Sequence, residues 1–294
     1  MKGGEVASPH SRPDMDVPAE ETRMHEPTFS QLERDGWQRN AADYDAIDLP
    51  ATRQAFGPLL DSLGDLRGRH VLEVAFGTGH LAAEALARGA TVVGVDVAPA
   101  MVALARQHVP GASFHEGDAE ALPFKDGQFE AVICCFGLLH FAEPAKALHE
   151  AARVLKPGGM LSFTVWHSPQ NGGDFFKLVL GTYEKLANMD VGLPPAPPMF
   201  ALTDAAVRDP MLAQAGFQDI RSKDIAITWP LRGPDSVVEF VLKGAVRTRM
   251  VYERQTPQIQ QRIREALAAA TTAYLHEGSS GIPNPALLVT ARKP

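Results

Sequence analysis

The sequence predicts an α/β protein built on a doubly wound, mostly parallel β-sheet. Short apolar segments alternate with segments of helical periodicity from about residue 70 to residue 166. This alternation is typical of a parallel sheet that is covered by helices on both faces. A glycine-rich turn at 77–79 directly follows the first apolar segment, and Asp96 ends the second. An acid about twenty residues beyond such a turn can reach the ribose hydroxyls of a bound nucleoside.

The length and composition of the chain indicate one large domain rather than two. The chain has 294 residues and a mass of 31.7 kDa, with 45% hydrophobic and 21% charged residues. These fractions are ordinary for a globular protein. Residues 1–28 are rich in Pro, Glu, Ser and His and offer little to bury, so we expect a disordered tail there. Residues 29–294 are then expected to form a single domain.

The charge and the cysteine content exclude several kinds of partner. The formal net charge is −7, whereas a general nucleic-acid binder needs a basic surface. The longest apolar run, 131–139, is far shorter than the roughly twenty residues that cross a bilayer. Cys134 and Cys135 are adjacent in an apolar strand and point to opposite faces, so we expect no disulfide. We therefore expect a cytoplasmic monomer or homodimer without a nucleic-acid or membrane partner.

The first half of the chain predicts helices around three strands. Trp37, Ala41 and Tyr44 have helix-like spacing and predict a helix that begins near residue 30. Glycine and proline mark the ends of the elements that follow. In order, these are a helix over 51–63, a strand over 70–75, a helix ending at Gly89, a strand ending at Asp96, a helix from Pro99 to Pro110 and a strand near 112–115.

The second half predicts two more buried strands and then a less regular region. A turn at 126–128 leads into the fourth strand, and a helix over 144–155 has one apolar stripe that faces the sheet. A fifth strand follows and ends near residue 166. Beyond it we expect helices over 175–186, 203–215, 234–247 and 258–275, a strand over 217–229 and a final strand over 285–293.

The glycine-rich turn fits the patterns of two cofactors. Residues 77–82 satisfy Gly-x-Gly-x-x-Ala, the pattern of NAD-binding turns. Residues 73–79 satisfy the acid-x-Gly-x-Gly-x-Gly pattern of S-adenosylmethionine binders, with Ala75 in place of the first glycine. In either case the glycines let a flat ligand lie against the main chain at a helix N-terminus. Later segments of the chain have to decide between the two cofactors.

Three later segments carry a family resemblance. They are Gly-Asp-Ala at 117–119, Gly-Leu-Leu-His-Phe at 137–141 and Lys-Pro-Gly-Gly at 156–159. Together with the glycine-rich turn, they make the chain similar to class I S-adenosylmethionine-dependent methyltransferases. The similarity is greatest to the small-molecule branch typified by the ubiquinone/menaquinone biosynthesis enzymes. It is close over about residues 37–167 and looser over the last strand.

The resemblance implies a Rossmann-like sheet with a helical insertion. The last strand would run antiparallel to the others and would pair with the 217–229 strand. The cofactor-binding core would comprise residues 65–167, and the segments that contact the methyl acceptor would be 168–215 and 230–283. The helices of the latter segment would form a lid over the carboxyl ends of the strands.

The resemblance also assigns residues to S-adenosylmethionine, whose product is S-adenosylhomocysteine. Asp96 would bind the ribose, Asp118 and the Ala119 amide would bind the adenine, and Glu73 would hold the amino-acid end. Each acid has a simpler alternative role: a helix cap for Asp96, a turn residue for Asp118 and a brace of the glycine loop for Glu73. Ala75 is expected to be strand-like, so that its methyl group fits. The other residues expected at the cofactor are Tyr44, Gly77, Gly79, Val97, Met101 and Phe136.

His140 is the predicted catalytic residue, because it follows the fourth strand where the acceptor would meet the sulfonium. A neutral imidazole can accept a proton at physiological pH. The alternative is a histidine that caps the next helix or lines the cofactor pocket. His167, just past the fifth strand, is a weaker candidate. The remaining histidines have no metal-ligand spacing with each other or with the cysteines, so no metal is expected.

The predicted function is transfer of a methyl group to a small, apolar or aromatic metabolite by in-line displacement. This reaction demands alignment and exclusion of water, and a dedicated base is optional. The alternatives are a non-catalytic cofactor-binding protein of the same fold, an NAD-dependent oxidoreductase, or a methyltransferase that acts on RNA or protein.

Two groups of side chains outside the cofactor core could contact the acceptor. For each aromatic or methionine side chain, the alternative is ordinary core packing. These side chains are Trp37, Tyr44, Phe175, Phe176, Tyr183, Met199, Phe200, Trp229, Phe240, Met250 and Tyr252. For the arginines, the alternatives are a solvated face or a clamp for a carboxylate or phosphate on the acceptor. These are Arg247, Arg249, Arg254, Arg262 and Arg264.

Overall fold

One large β-sheet organises the molecule, as the alternation of apolar segments predicts. The computed structural model describes residues 1, 3, 4, 26–276 and 279–294. Residues 2 and 5–25, most of the predicted tail, lie outside the described residues. The strands are β1 (His70–Val74), β2 (Thr91–Asp96), β3 (Ser113–Glu116), β4 (Phe129–Cys135), β5 (Leu155–Trp166), β6 (Gln218–Ile225), β7 (Thr228–Pro230), β8 (Gly281–Pro283) and β9 (Ala286–Arg292).

The strand order confirms a doubly wound, mostly parallel sheet. Within the described chain, seven strands pair in the order β3–β2–β1–β4–β5–β9–β6, and β1 to β5 are parallel to their neighbours among them. β9 lies between β5 and β6 and is antiparallel to both, with Thr290 opposite Ser162 on one side and Arg221 on the other. The antiparallel last strand and its pairing with the 217–229 segment are therefore confirmed.

Both faces of the central strands are buried, which is why their sequences are almost continuously apolar. Neighbouring residues of a strand point to opposite faces. Val71 and Ile133 accordingly belong to one hydrophobic cluster, whereas Leu72 and Val132 belong to another. Helices cover each cluster, so the carboxyl ends of the strands are the part of the sheet left open to a ligand.

The helices agree with the predicted order and differ in several boundaries. Each of those flanking the sheet begins and ends close to the positions that glycine and proline mark. The helices are α1 (Phe29–Asn40), α2 (Tyr44–Ile47), α3 (Leu49–Thr52), α4 (Phe56–Asp61), α5 (His80–Ala87), α6 (Pro99–His108), α7 (Pro144–Val154), α8 (Asp174–Leu186), α9 (Ala205–Gln214), α10 (Ser236–Glu239), α11 (Arg247–Glu253) and α12 (Pro257–His276).

The predicted strand over 217–229 is two strands, so that prediction is wrong in its continuity. β6 stays in the main sheet, but β7 leaves it and pairs with β8 in a separate two-stranded sheet. Pro283 and Pro285 have no backbone N–H with which to continue a ladder. The partner strand is interrupted there, and a side-sheet forms where one long pairing was expected.

Two predicted helices are also interrupted. The 51–63 helix is replaced by α3, a 3₁₀ turn over Arg53–Ala55 and α4, because Pro58 removes one hydrogen bond of a continuous helix. The 234–247 helix becomes α10 and a π-helical turn over Phe240–Gly244. The Asn40 amide donates to the carbonyls of Gly244 (3.0 Å) and Ala245 (3.3 Å), which satisfies backbone groups where this turn ends.

The length and hydropathy of the helices show whether any of them could span a membrane. Of the helices in the described residues, not one is both long enough and apolar enough to cross a bilayer.

Candidate functional site

A cavity of about 240 Å³ lies at the carboxyl ends of the strands. The glycine-rich turn, the ends of β2 and β4, helix α1 and the segment around Gly244 all contribute to its wall. Most of the predicted site residues line it: Tyr44, Ala75, Gly77, Asp96, Val97, Met101, Asp118, Ala119, Phe136 and His140. Glu73 and Gly79 are not among the lining residues.

The glycine-rich turn has the backbone geometry that requires glycine at two positions. Gly77 and Gly79 have φ of 59° and 87°, in the left-handed region that side chains disfavour. A Cβ at Gly79 would also lie 3.0 Å from the Cβ of Ala105. Gly79 therefore lets helix α6 approach the turn, and Gly77 is the glycine that faces the cavity.

Ala75 corrects an expectation. It was expected to be strand-like, but its φ is 55°, and β1 ends one residue earlier. The side chain is accommodated because the facing residue is Gly137. A Cβ on Gly137 would lie 2.6 Å from the Cβ of Ala75. The missing glycine at position 75 is thus matched by a glycine across the site.

Asp96 is buried at the end of β2 and is held from two sides. Its Oδ2 accepts a hydrogen bond from the Gly77 amide and its Oδ1 accepts one from the Ala98 amide, both at 2.9 Å. Burial raises the pKa of Asp96 to about 6. The contact with Ala98 fixes the start of α6, as the capping alternative anticipates. Each carboxylate oxygen can accept a further hydrogen bond, so this role leaves capacity for a ligand hydroxyl.

Glu73 lies under the turn rather than in the cavity. It is buried, and it accepts a backbone hydrogen bond from Ala82 in the first turn of α5. Its Oε2 is buried with no hydrogen-bond partner among the described residues. Burial and the nearby Asp96 hold the pKa of Glu73 well above its usual range. The geometry matches the alternative in which this acid braces the glycine loop.

Asp118 and Ala119 follow β3 on the opposite wall from the glycine turn. The Oδ1 of Asp118 accepts a hydrogen bond from the Glu120 amide at 2.8 Å, so it also shapes its own turn. Ala119 is buried beside it, and both line the cavity. A planar ring between them and Met101, which is buried in α6, would meet one polar edge and one apolar face.

The N-terminal segment is attached to the glycine turn by α2. The Thr78 hydroxyl donates to Oδ1 of Asp45 at 2.6 Å, and His80 Nε2 lies 3.0 Å from Oδ2 of the same residue. Although burial alone would raise the pKa of Asp45, the hydrogen bonds from Thr78 and His80 lower it. The ring of the adjacent Tyr44 lies 3.6 Å from where a Cβ of Gly77 would be. Tyr44 therefore covers the turn from above.

Asp45, His80 and His108 also form a cluster that the sequence does not reveal. Within the described chain, their potential metal-ligand atoms lie within 4.8 Å of one another. His108 Nδ1 lies 3.1 Å from the Thr78 carbonyl oxygen. These residues come from three separate helices, so no local spacing pattern signals the cluster. Their contacts are accounted for by the attachment of α2 to the glycine turn.

His140 faces the cavity and is held by residues of α1. Its Nδ1 lies 2.9 Å from Oε2 of Glu33, whose side chain is only 8% exposed. The ring of Trp37 packs edge-on against the imidazole, with ring centroids 4.8 Å apart. Helix α7 begins after Glu143, without a side-chain hydrogen bond from His140. The helix-cap alternative for His140 is thus not what the structure contains.

Glu33 was not identified from the sequence, although a signal was present. It precedes Trp37 by four residues and Ala41 by eight, so it falls on the same helical stripe. An acid on a stripe that otherwise packs inward indicates a buried partner. His167, the weaker catalytic candidate, instead lies 2.8 Å from Asp224 through its Nε2 and is not among the cavity-lining residues.

The end of the cavity away from Asp96 is aromatic. Of the proposed acceptor-pocket residues, six line the cavity: Trp37, Tyr44, Phe176, Met199, Trp229 and Phe240. The others, Phe175, Tyr183, Phe200, Met250 and Tyr252, are not among the lining residues. Trp166 was not among the acceptor-pocket residues expected from the sequence. It lines the cavity and stacks on Phe136, with ring centroids 3.8 Å apart. Of the five arginines considered, Arg247 is the one that reaches the wall.

A second acid without a sequence signal, Asp48, lies in the cavity wall. It is 5% exposed and sits between the apolar residues Ile47 and Leu49, at the junction of α2 and α3. Its Oδ2 is buried without a hydrogen-bond partner among the described residues. Burial raises the pKa of Asp48 to about 7.

Comparison with known proteins places this geometry in a family. Residues 72–163 match the methyltransferase domain family. The chain is 45% identical over 121 residues to a demethylmenaquinone methyltransferase of Thermus thermophilus, covering 39% of this chain and 54% of that protein. It is 38% identical over 159 residues to one of Chlorobaculum parvum, covering 50% and 65%. The chain thus spans between about half and two thirds of the length of these relatives.

The fold is shared with solved structures as well. The TM-score is 0.56 between this chain and phosphoethanolamine N-methyltransferase 2 of Haemonchus contortus, which was solved in complex with phosphomonomethylethanolamine and S-adenosylhomocysteine. The match covers 92% of this chain and 61% of that one at 18% identity, so it concerns the fold alone. Residues 72–163 therefore match a methyltransferase domain, and the strand order of the main sheet agrees with the fold shared with this solved structure.

Proposed function

We propose that this protein transfers a methyl group from S-adenosylmethionine to a small, apolar or aromatic acceptor. The observation that carries the proposal is the cavity itself. One end has the glycine turn, Asp96 and Asp118, and the other is lined by Trp166, Trp229 and further aromatic rings. A nucleoside-type cofactor and an apolar acceptor therefore have adjoining places in one enclosed space, as direct transfer between them requires.

The residues at the polar end fit the cofactor. Asp96 retains acceptor capacity for ribose hydroxyls beyond its two backbone hydrogen bonds. Asp118 and the Ala119 amide suit the edge of an adenine ring, with Met101 and Val97 against its faces. Gly77 leaves the space between the turn and the Tyr44 ring free of a side chain. Glu73 stabilises the glycine-rich turn indirectly, because it accepts a hydrogen bond from the Ala82 amide at the start of α5.

Methyl transfer requires the protein to align the acceptor with the methyl group and to exclude water. S-adenosylmethionine, when bound, supplies a methyl group on a positively charged sulfur. The aromatic wall excludes water and orients the acceptor. His140 is the residue we assign to the acceptor proton, because a carboxylate of Glu33 accepts a hydrogen bond from Nδ1–H and leaves the other ring nitrogen as the basic one. Acceptors that are already nucleophilic would not need it.

The remaining properties belong to the same proposal. We expect a cytoplasmic protein that acts as a monomer or homodimer on a small molecule. The net charge of −7 disfavours nucleic acid as the substrate. The relatives named for demethylmenaquinone support an acceptor with a flat, apolar ring system, which the aromatic end of the cavity would accommodate.

The direct test is calorimetric titration of the purified protein with S-adenosylhomocysteine, with NADH in a parallel titration. We expect micromolar binding of S-adenosylhomocysteine and none of NADH. Binding of NADH alone would contradict the proposal and favour the oxidoreductase alternative. Turnover is then measured with radiolabelled S-adenosylmethionine and a panel of phenols, quinols and amines. Tight cofactor binding without transfer to any of them would favour the non-catalytic alternative.

A further inference from the structure

The proposed methyltransferase reaction does not use Asp48, a buried acid in the cavity wall. We propose that Asp48 is the polar anchor of the acceptor subsite and accepts a hydrogen bond from a hydroxyl group on an aromatic acceptor. This inference rests on the proposed function. It deepens that function by naming the chemical class of the acceptor, an aromatic ring that bears a hydroxyl group.

The first observation is that Oδ2 of Asp48 has no hydrogen-bond partner among the described residues. Asp48 is 5% exposed, and this oxygen is buried. Leaving a buried polar group unpaired is unfavourable, and a fold seldom keeps one without a use for it. Asp48 also lines the cavity. A ligand in the cavity is therefore positioned to supply the missing donor.

The second observation is that the fold makes room for the carboxylate. Its two oxygens lie 2.8 and 2.9 Å from where a Cβ of Gly244 would be, so any other residue at 244 would displace the acid. Gly244 is in turn held by the Asn40 side chain, whose Nδ2 donates to its carbonyl at 3.0 Å. The N-terminal segment and the inserted helices thus meet at Asp48 and fix its position.

The third observation places Asp48 next to the reacting region. Burial and, after it, the charges of Asp48 and Asp96 raise the pKa of Tyr44, so both acids lie near this residue. Asp96 marks the cofactor end of the cavity. Within that cavity Asp96 contacts the glycine turn at Gly77, whereas Asp48 abuts Gly244 of the inserted segment, where we place the acceptor.

The surroundings of Asp48 select a neutral donor on an apolar body. No salt bridge in the described chain includes Asp48, and the nearby cavity wall contains Phe240, Trp229 and Trp166. Burial raises the pKa of Asp48 to about 7, which reports how poorly this wall solvates charge. A neutral hydroxyl satisfies the acid without bringing a second charge into that environment. An aromatic ring attached to it fills the remainder of the subsite.

The test measures binding of two probes that differ only in the donor. These are 1-naphthol and its methyl ether, 1-methoxynaphthalene, titrated against the full chain saturated with S-adenosylhomocysteine. We expect the wild-type protein to bind 1-naphthol about 10-fold or more tightly than the ether. Asp48→Ala is expected to remove that difference while leaving affinity for the ether within about twofold. Asp43→Ala is the matched control, because Asp43 lies in the same segment and its side chain forms a surface salt bridge with Lys243 at 3.7 Å.

Each outcome bears on the inference. Equal binding of the two probes by the wild-type protein, or an unchanged preference in Asp48→Ala, would overturn it. Tighter binding of the cation 1-(aminomethyl)naphthalene than of 1-naphthol would also overturn it, in favour of an amine acceptor. Binding of S-adenosylhomocysteine is recorded separately for every variant. Its absence in the wild-type protein would refute the proposed function, whereas its presence with no Asp48 effect would refute this inference alone.

Discussion

The pairing of His140 with Glu33 gives the imidazole a defined orientation at the cavity. A carboxylate accepts a hydrogen bond only from a ring nitrogen that carries a proton. Contact of Glu33 with Nδ1 therefore selects the tautomer whose Nε2 is free to accept a proton. The edge of Trp37 limits rotation of the ring. Two residues of one helix thus fix a histidine that follows a strand about one hundred residues later in the chain.

We predict that His140→Ala lowers kcat by about 10²- to 10⁴-fold for acceptors that must lose a proton. Glu33→Gln is expected to have a smaller effect in the same direction, because it retains the shape but not the charge that orients the ring. Affinity for S-adenosylhomocysteine should change little in either variant. Steady-state kinetics and calorimetry measure both quantities. His149→Ala, at an exposed position of α7, is the control; equal activity of His140→Ala and this control would exclude a catalytic role.

Asp96→Ala is predicted to weaken binding of S-adenosylhomocysteine by about 1–3 kcal/mol, the usual range for a lost hydrogen bond to a charged group. The variant also frees the amides of Gly77 and Ala98, so thermal unfolding must be checked in parallel. Asp61→Ala provides a control at an exposed acid that pairs with Arg88. Wild-type affinity in a folded Asp96→Ala protein would rule out the ribose assignment.

At the scale of elements, helix α1 packs against the insertion with no space for a side chain between them. A Cβ on Gly36 would lie 2.3 Å from Cγ1 of Val246, and β-branched valine cannot easily turn away. Residue 246 also belongs to the cavity wall. The close approach of α1 to the insertion therefore contributes directly to the shape of the site.

We predict that Gly36→Ala destabilises the protein and weakens acceptor binding, although alanine is the better helix former by about 1 kcal/mol. Gly57→Ala is the matched control in helix α4, where a Cβ meets nothing within 4 Å, and there a gain of about 0.4–1 kcal/mol is expected. Chemical denaturation of both variants measures the free energy of unfolding. A stabilised Gly36→Ala protein would show that α1 is not closely packed in solution.

The elements differ in how far the sequence predicts them. The regular alternation from His70 to Trp166 predicts the parallel core well, because the central strands are buried on both faces and each crossover helix has glycine or proline close to at least one end. The region beyond it is less regular. The break between β6 and β7 depends on prolines some sixty residues further along the chain, Pro283 and Pro285. Such a dependence on a distant partner strand has no local sequence signal.

The whole molecule contains several buried acids around one cavity, and this affects its stability. Burial raises the pKa of Asp48 from 3.8 to about 7 and that of Asp96 from 3.8 to about 6. The folded state therefore binds these protons more tightly than the unfolded state does. Both acids are protonated in either state well below pH 4, and their contribution to the stability of the free protein falls as the pH rises from about 4 to about 7.

We predict that Asp48→Asn removes part of this pH dependence. As the pH rises from 4 to 7, the free energy of unfolding of the variant should increase relative to that of the wild-type protein. The difference should grow by at most about 1.4 kcal/mol per pH unit. Above pH 7 the difference should stay constant. Urea denaturation at several pH values gives both curves. Parallel curves over this range would mean that Asp48 titrates normally in the folded protein.

The site as a whole was predictable only in its cofactor half. Asp96, Asp118 and the glycine turn follow consecutive strands, and parallel strands bring their carboxyl ends together. The acceptor half combines α1, α2 and the insertion, which are far apart in sequence. Asp48 and Trp166 therefore had no pattern to identify them as neighbours, and the helical stripe of Glu33 indicates a buried partner without identifying it. Their roles emerge only when the N-terminal segment is seen packed against Gly244.

The position of β9 between β5 and β6 has a consequence for synthesis. β6 has no other neighbour in the main sheet, and residues 226–285 are made between it and β9. As the chain leaves the ribosome, β1 to β5 can pair while β6 must wait. The inserted helices emerge before the sheet that supports them is complete. A nascent chain that stops short of β9 should thus expose β6 to chaperones and proteases, even though its cofactor-binding strands are all present.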